Sequence, residues 1–199
     1  MNGPIVRPAS WRDVRTLTGR LAEAFRDDPL YRWMFGGDAA WRRKGRPFFR
    51  LLLRVHLRDG RVFTNSDLSG AALWSSPDLP YGGPFTQLVL PLHMRRLFAE
   101  RADAVRWEIG RLNAARPVAP HWYLPVLGVT PECQRTGIGT ALLRPVLDRC
   151  DKTGYRAYLE TSVPDNIPFY GRLGFGVTDE MEVEGGPRVW GMVREPGTA

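Results

Sequence analysis

The stretch from Val126 to Thr140 constrains the fold more than any other part of the chain. Its apolar start, Val126-Leu127-Gly128-Val129, leads through Thr130-Pro131 into a loop, and Gly137-Ile138-Gly139-Thr140 then opens an amphipathic helix. Gly137 and Gly139 lack side chains where a ligand would have to approach the backbone closely. The N–H groups of a first helical turn have no partner within the helix, and the helix dipole adds positive potential there. A pyrophosphate would find donors at such a place without any metal. Arg135 adds charge.

The patterns on either side are those of alternating strands and helices. Ile5–Arg7 reads as a strand, and Ser10 caps a helix through Phe25, with Asp13 in its first turn. Tyr31 to His56 reads as helical on both sides of Gly36-Gly37. Arg61–Thr64 and Ala71–Ser75 suit a strand pair, and Phe85 to Arg116 one or two further helices. Pro-rich stretches at Ser76–Pro84 and Arg116–Pro120 punctuate the chain. Trp122–Val129 is extended, and Gly139–Asp151 is a helix with Leu142, Leu143, Val146, Leu147 and Cys150 on one face. Ala157–Ser162 is a strand, Asn166–Leu173 a short helix, and Val177–Val183 with Val189–Val193 a hairpin around Gly185-Gly186. The order predicts an α/β (α+β mixed) chain built on a mixed sheet.

Residues 1–199, at 43% hydrophobic, suit one domain with a real core. The net charge of +7 favours anionic partners. Arginines outnumber the two lysines and are spread along the whole chain, which argues against a nucleic-acid-binding stripe. Cys133 and Cys150 lack metal-ligand spacing, so no metal is expected; Cys150 reads as a buried thiol. Met1–Pro8 lacks a signal-peptide core and no apolar run reaches ~18 residues. A cytoplasmic protein without a membrane partner is the expectation.

Two other phosphate sites fail on the residues. A Walker loop needs Gly-Lys-Ser/Thr, and a dinucleotide fingerprint needs a third glycine where Leu142 stands. Gln134-Arg135-Thr136-Gly137-Ile138-Gly139, directly after a strand, instead resembles the acetyl-CoA loop of the GNAT superfamily of N-acetyltransferases. Leu127-Gly128-Val129 looks like that family's bulged strand end. Leu159-Glu160-Thr161-Ser162 and Asn166-Ile167-Pro168-Phe169-Tyr170 extend the likeness over roughly the C-terminal 80 residues. Within the superfamily it is similar to puromycin N-acetyltransferases and their actinobacterial relatives, which share a Gly-Pro-Arg-x-Trp-x-Met ending, here Gly186–Met192. An Ala-Phe-x-Asp-x-Pro pattern at Ala24–Pro29 is a looser match.

The resemblance implies a GNAT fold with a mostly antiparallel, splayed central sheet flanked by helices. Residues 121–199 would hold acetyl-CoA, and 1–120 would shape the acceptor pocket. Leu127, Gly128 and Val129 would take the pantetheine arm by strand augmentation, with Asn166 beside it. Gln134, Arg135, Thr136, Gly137, Ile138, Gly139 and Thr140 would hold the pyrophosphate. Tyr170 would give a proton to the departing thiolate: a phenol of pKa ~10 protonates a thiolate of pKa ~8.5 only modestly uphill. Glu160, an acid within an apolar strand, is the first candidate base, with a structural pairing to an arginine as the alternative. His121, whose imidazole can take up a proton, is a second candidate, and a water chain is a third. The expected partners are acetyl-CoA and a small-molecule amine, and a homodimer is compatible with them. Protein or peptide acetylation, or acyl-CoA or nucleic-acid binding without catalysis, are the competing readings on the same fold.

Overall fold

The computed structural model describes residues 3–58, 61–79 and 84–197, with the backbone alone for 84–89. Strand β1 (Val6–Pro8) leads through a tight turn into helix α1 (Val14–Ala24). The Ser10 N–H donates to the Asp13 carboxylate at 2.7 Å, and Arg7 grips the same carboxylate at 2.8 and 2.9 Å. The acid of the first turn thus caps the helix and ties it to β1. Helix α2 (Pro29–Phe35) starts on Asp28, whose side chain accepts from the Tyr31 N–H, and stops at Gly36, which is left-handed. Helix α3 (Asp38–Arg58) follows, giving the two expected helices around Gly36-Gly37.

Strands β2 (Val62–Asn65) and β3 (Gly70–Ser75) form the expected pair. Helices α4 (Pro84–Phe98) and α5 (Ala102–Ala114) fill the second helical stretch. Of the Pro-rich stretch 76–84, residues 80–83 lie outside the described part. Then come β4 (His121–Val129), α6 (Ile138–Thr153), β5 (Arg156–Thr161), α7 (Asn166–Gly171), β6 (Gly176–Glu182) and β7 (Arg188–Arg194).

All seven strands join one sheet in the order β1-β2-β3-β4-β5-β7-β6. Only β4 and β5, joined by the α6 crossover, are parallel; every other neighbouring pair is antiparallel. Each face has its own core. Leu17 and Leu21 of α1 and Phe49 and Leu53 of α3 pack on Ala71, Leu73 and Val126. On the other face Leu142, Leu143, Val146, Leu147 and Cys150 of α6 pack on Ala72, Trp74, Ala157 and Leu159. The i, i+3, i+4 spacing of α6 predicts that stripe, and each such leucine removed from water contributes about 1.5–3 kcal/mol.

The irregularity that shapes the site lies in β4; another, between Val177 and Asp179, lies in the β6–β7 pair at the sheet's edge. Leu73 pairs with Val126, yet Ser75 pairs with Tyr123, so β4 carries an extra residue at Leu124-Pro125. The bulge therefore falls upstream of the expected Leu127-Gly128-Val129, which pair in regular register with Ala72, Ala71 and Gly70. Proline explains the position: Pro125 has no N–H for a ladder, and a central strand accommodates it only at a bulge. The bulge also switches faces. Trp122 and Leu124 belong to the α6 core, whereas Val126 belongs to the opposite one. Gly128 then points at α1, where a Cβ would come within 2.7 Å of Leu21 and 2.8 Å of Phe25.

Candidate active site

The bulge opens the sheet. β4 pairs with β5 only from His121 to Leu124, and the two strands part at Pro125. The Thr130 N–H bonds to Ser69, on the β3 side, at 2.8 Å. Strand alternation then turns the backbone groups of Leu127 and Val129 the other way, toward the open edge. The Gln134 side-chain amide already reaches that edge, donating to the Val129 carbonyl at 3.1 Å. An extended chain with amide groups could pair along this edge as an added strand does.

Beyond the edge lies the glycine loop. Gly137 caps α6 with φ +87°, and Arg135 before it has φ +62°. Gln134, Arg135, Thr136 and Gly137 are exposed, and Ile138, Gly139 and Thr140 are half-buried. The first α6 bond in the turn runs from the Ala141 N–H to Gly137 at 3.0 Å. The three N–H groups before it belong to a helix start facing solvent, which suits an anion. Thr136 braces the loop by donating from its hydroxyl to Cys133 at 2.7 Å.

A cavity of about 1070 Å³ lies where β4 and β5 part, with a largely apolar and aromatic wall. Asn166 and Tyr170, one turn apart on α7, both line it, as do Leu127 and Glu160. Phe25, Tyr31, Phe48 and Phe98 supply aromatic surface from the helical side. Tyr170 is buried, with Phe169 and Phe175 against its ring at 5.0 and 5.9 Å between centroids. Burial pushes its phenol pKa up, and the charge of Asp28 pushes it further. The hydroxyl therefore stays protonated throughout the physiological range, as a proton donor must.

Asp28 was not legible as a site residue; in the sequence the Asp27-Asp28-Pro29 run reads only as a helix break. Its Oδ1 accepts from the Tyr31 N–H at 3.0 Å and from the Ser162 hydroxyl at 3.2 Å, which ties α2 to the end of β5. Burial raises its pKa, and the bonds from Tyr31, Ser162 and Leu30 oppose the rise. Among the described residues no cation pairs with this half-buried carboxylate, and in an apolar cavity a cationic amine would gain most there.

Glu160 also faces the cavity, but it is engaged. Arg116 donates to it at 2.8 and 3.4 Å, and the Tyr123 hydroxyl donates at 2.7 Å. The Arg116 guanidinium stacks over the Tyr123 ring at 3.7 Å, and both ends of the ion pair are largely but not fully covered, 13% and 9% exposed. His121 sits at the far, paired end of β4, where its Nδ1 lies 2.9 Å from the Ala119 carbonyl oxygen, and it does not line the cavity. Arg116, Tyr123 and Ser162 are further wall residues that the sequence does not mark, because linker, β4 and β5 meet only in the fold. Among the described residues no group of three or more His, Cys, Asp or Glu could hold a metal ion. No described helix is long and apolar enough to cross a membrane.

Residues 95–175, from the end of α4 through α7, match the acetyltransferase (GNAT) family model. This match, with the acetyltransferases similar to the chain, makes the protein an N-acetyltransferase. An uncharacterized N-acetyltransferase of Schizosaccharomyces pombe is 25% identical to it over 177 residues, covering 82% of this chain and 71% of that protein. An acetyltransferase of Stachybotrys chartarum is 29% identical over 196 residues, covering 89% of this chain and 83% of that one. The fold is that of GNAT enzymes. A crystal structure of histone acetyltransferase HPA2 and related acetyltransferase from Corynebacterium glutamicum superposes with TM-score 0.73 at 23% identity, covering 100% of this chain and 99% of that one. Acetyl-CoA is the acyl donor of that family.

Proposed function

We propose that this enzyme transfers the acetyl group of acetyl-CoA to the primary amine of a small molecule by direct attack, with Tyr170 as general acid. The observation that carries this reading is the cavity itself: an aromatic-walled cleft lined by Tyr170, Asn166 and Asp28. The pyrophosphate lies on the first turn of α6, over Gln134 to Thr140, and the pantetheine arm lies along Leu127, Gly128 and Val129 with Asn166 beside it. The thioester then reaches Tyr170. The amine enters from the helical side, where Asp28 holds its ammonium form against an otherwise apolar wall and takes up the proton on deprotonation. The neutral nitrogen attacks the carbonyl carbon, the C–S bond breaks, and the phenol of Tyr170 protonates the thiolate. The nitrogen, cationic once the C–N bond has formed, gives its second proton through water to Glu160, which also holds Arg116 and Tyr123 in the wall; the Tyr170 phenolate then regains a proton, and the net proton released leaves to solvent.

The acceptor class follows from the walls. Phe25, Tyr31, Phe48 and Phe98 suit a compact aromatic or amino-acid-like amine, and likeness to puromycin N-acetyltransferases adds aminonucleosides to that class. A polycation would meet one uncompensated carboxylate and a basic protein. The test is an acetylation assay that follows free CoA thiol across arylalkylamines, puromycin-type aminonucleosides and aminoglycosides. Turnover of the first two groups is expected; turnover of aminoglycosides alone would overturn the acceptor assignment.

A further inference from the structure

Arginine occurs along the whole sequence, but the net positive charge is concentrated at one end. Residues 1–58 hold thirteen Lys and Arg against five Asp and Glu, whereas residues 59–199 hold fifteen against sixteen. The first segment therefore carries the whole positive excess of the chain, and α3 carries most of it. Arg42, Arg46, Arg50 and Arg54 recur every fourth residue, with Arg43 beside them, and all five are exposed. The opposite side of the helix is the core face, with Trp41, Phe48, Phe49, Leu52 and Leu53 buried. The only acid in α3, Asp38, is paired with Arg32 of α2 at 2.7 Å. Among the described residues none of these five arginines is in an ion pair. Exposed Arg12, Arg15 and Arg20 extend the basic surface onto α1, which packs beside α3.

Four residues of helix advance about 6 Å and turn about 40° past a full circle, so Arg42 to Arg54 form an inclined row that rises roughly 18 Å along α3. We infer that this ridge is a docking surface for the phosphate backbone of a nucleic-acid duplex, bound by charge and without base reading. Charge complementarity is the argument for a polyanion. The linear, helix-borne form and the lack of any exposed large apolar side chain on α3 favour a duplex over a lipid surface, which interfacial helices enter with an apolar face. Phe48 and Leu52, on the inner side of the same helix, line the acetyl-transfer cavity. Docking and catalysis therefore use opposite sides of α3 and are independent of one another.

Fluorescence anisotropy with a labelled mixed-sequence duplex, from 50 to 200 mM salt, tests this. Five phosphate contacts predict a log–log salt slope of about −4.5, or roughly 500-fold weaker binding across that range. In the combined variant Arg43→Gln, Arg46→Gln, Arg50→Gln and Arg54→Gln the slope should fall to about −1, with more than ~100-fold loss at low salt. All four side chains are exposed, so acetyl-CoA binding and thermal stability should be unchanged, which separates lost docking from lost fold. The pair Arg149→Gln and Lys152→Gln, on α6 across the sheet, removes charge elsewhere and should leave the slope near its original value. Three results would overturn the inference: no duplex binding at 50 mM salt, duplex binding that the α3 variant keeps, or capture by phosphatidylserine vesicles without duplex binding.

Discussion

Replacing Tyr170 by Phe separates chemistry from packing at one atom. The ring stays, with its contacts to Phe169 and Phe175 at 5.0 and 5.9 Å, and only the hydroxyl goes. Among the described residues that hydroxyl makes no hydrogen bond, so the usual net loss of about 0.5–1.5 kcal/mol does not apply and Tm should hold within about 1–2 °C. The catalytic loss is of another size. A general acid contributes ~10²–10⁴-fold, which corresponds to about 2.7–5.4 kcal/mol of barrier. Stopped-flow or steady-state release of CoA thiol should show kcat down by that factor, with the Kd for acetyl-CoA little changed. The pH profile adds a second readout. The phenol pKa is pushed above its ordinary value by burial and by Asp28, so the proton is present well into the alkaline range. Wild-type kcat should therefore have no falling limb below about pH 10, the ordinary phenol value. A Tyr170→Phe variant that turns over at the wild-type rate would remove the residue from the mechanism, and a limb near pH 8 would reassign the acid.

Further outcomes follow from other parts of the molecule. Gly137→Glu should abolish acetyl-CoA binding in a calorimetric titration while the fold survives at a cost of about 1–3 kcal/mol, because the site is open to solvent but its φ is +87°; unchanged affinity would refute the phosphate site. Glu160→Gln strips the carboxylate from largely covered Arg116 and should cost about 3–5 kcal/mol in urea unfolding. A stable variant that loses only kcat would instead make Glu160 the sole base. Cys150 is fully buried and its thiol is pushed up to about 12, so alkylation at pH 8 followed by mass spectrometry should mark it only after denaturation. Labelling in the native state would contradict the α6 packing. Asp13 is held well below the carboxylate range by Arg7, so the capping pair stabilises the fold fully above pH ~4 and progressively less as acid protonates it. Asp13→Asn should lower Tm at pH 7, and the difference from wild type should shrink as pH falls below ~4.

The glycine loop, the α6 stripe and the α7 pair were written in local spacing, and local spacing survives folding. Gln134 to Gly139 could be recognised because a loop-to-helix start needs only neighbours in the chain. Tyr170 and Asn166 shared a face because a helix turn is set by the backbone alone. The bulge was harder. An apolar run such as Trp122–Val129 reads as one regular strand, and only pairing with β3 on one side and β5 on the other shows that Pro125 cannot satisfy both. Asp28 and Glu160 divide the same way. Neither acid shows its partner in the sequence; Asp28 meets the end of β5 through Ser162 and has no ion pair among the described residues, whereas the linker's Arg116 neutralises Glu160. Charge shows the same limit, since the arginines of α3 form a ridge only when a helix puts every fourth residue on one line and the core takes the opposite side. What sequence determines by itself are features whose partners lie within a turn or two. Long-range pairing, and with it the environment of each charge, exists only once the sheet has closed around the splay at Pro125.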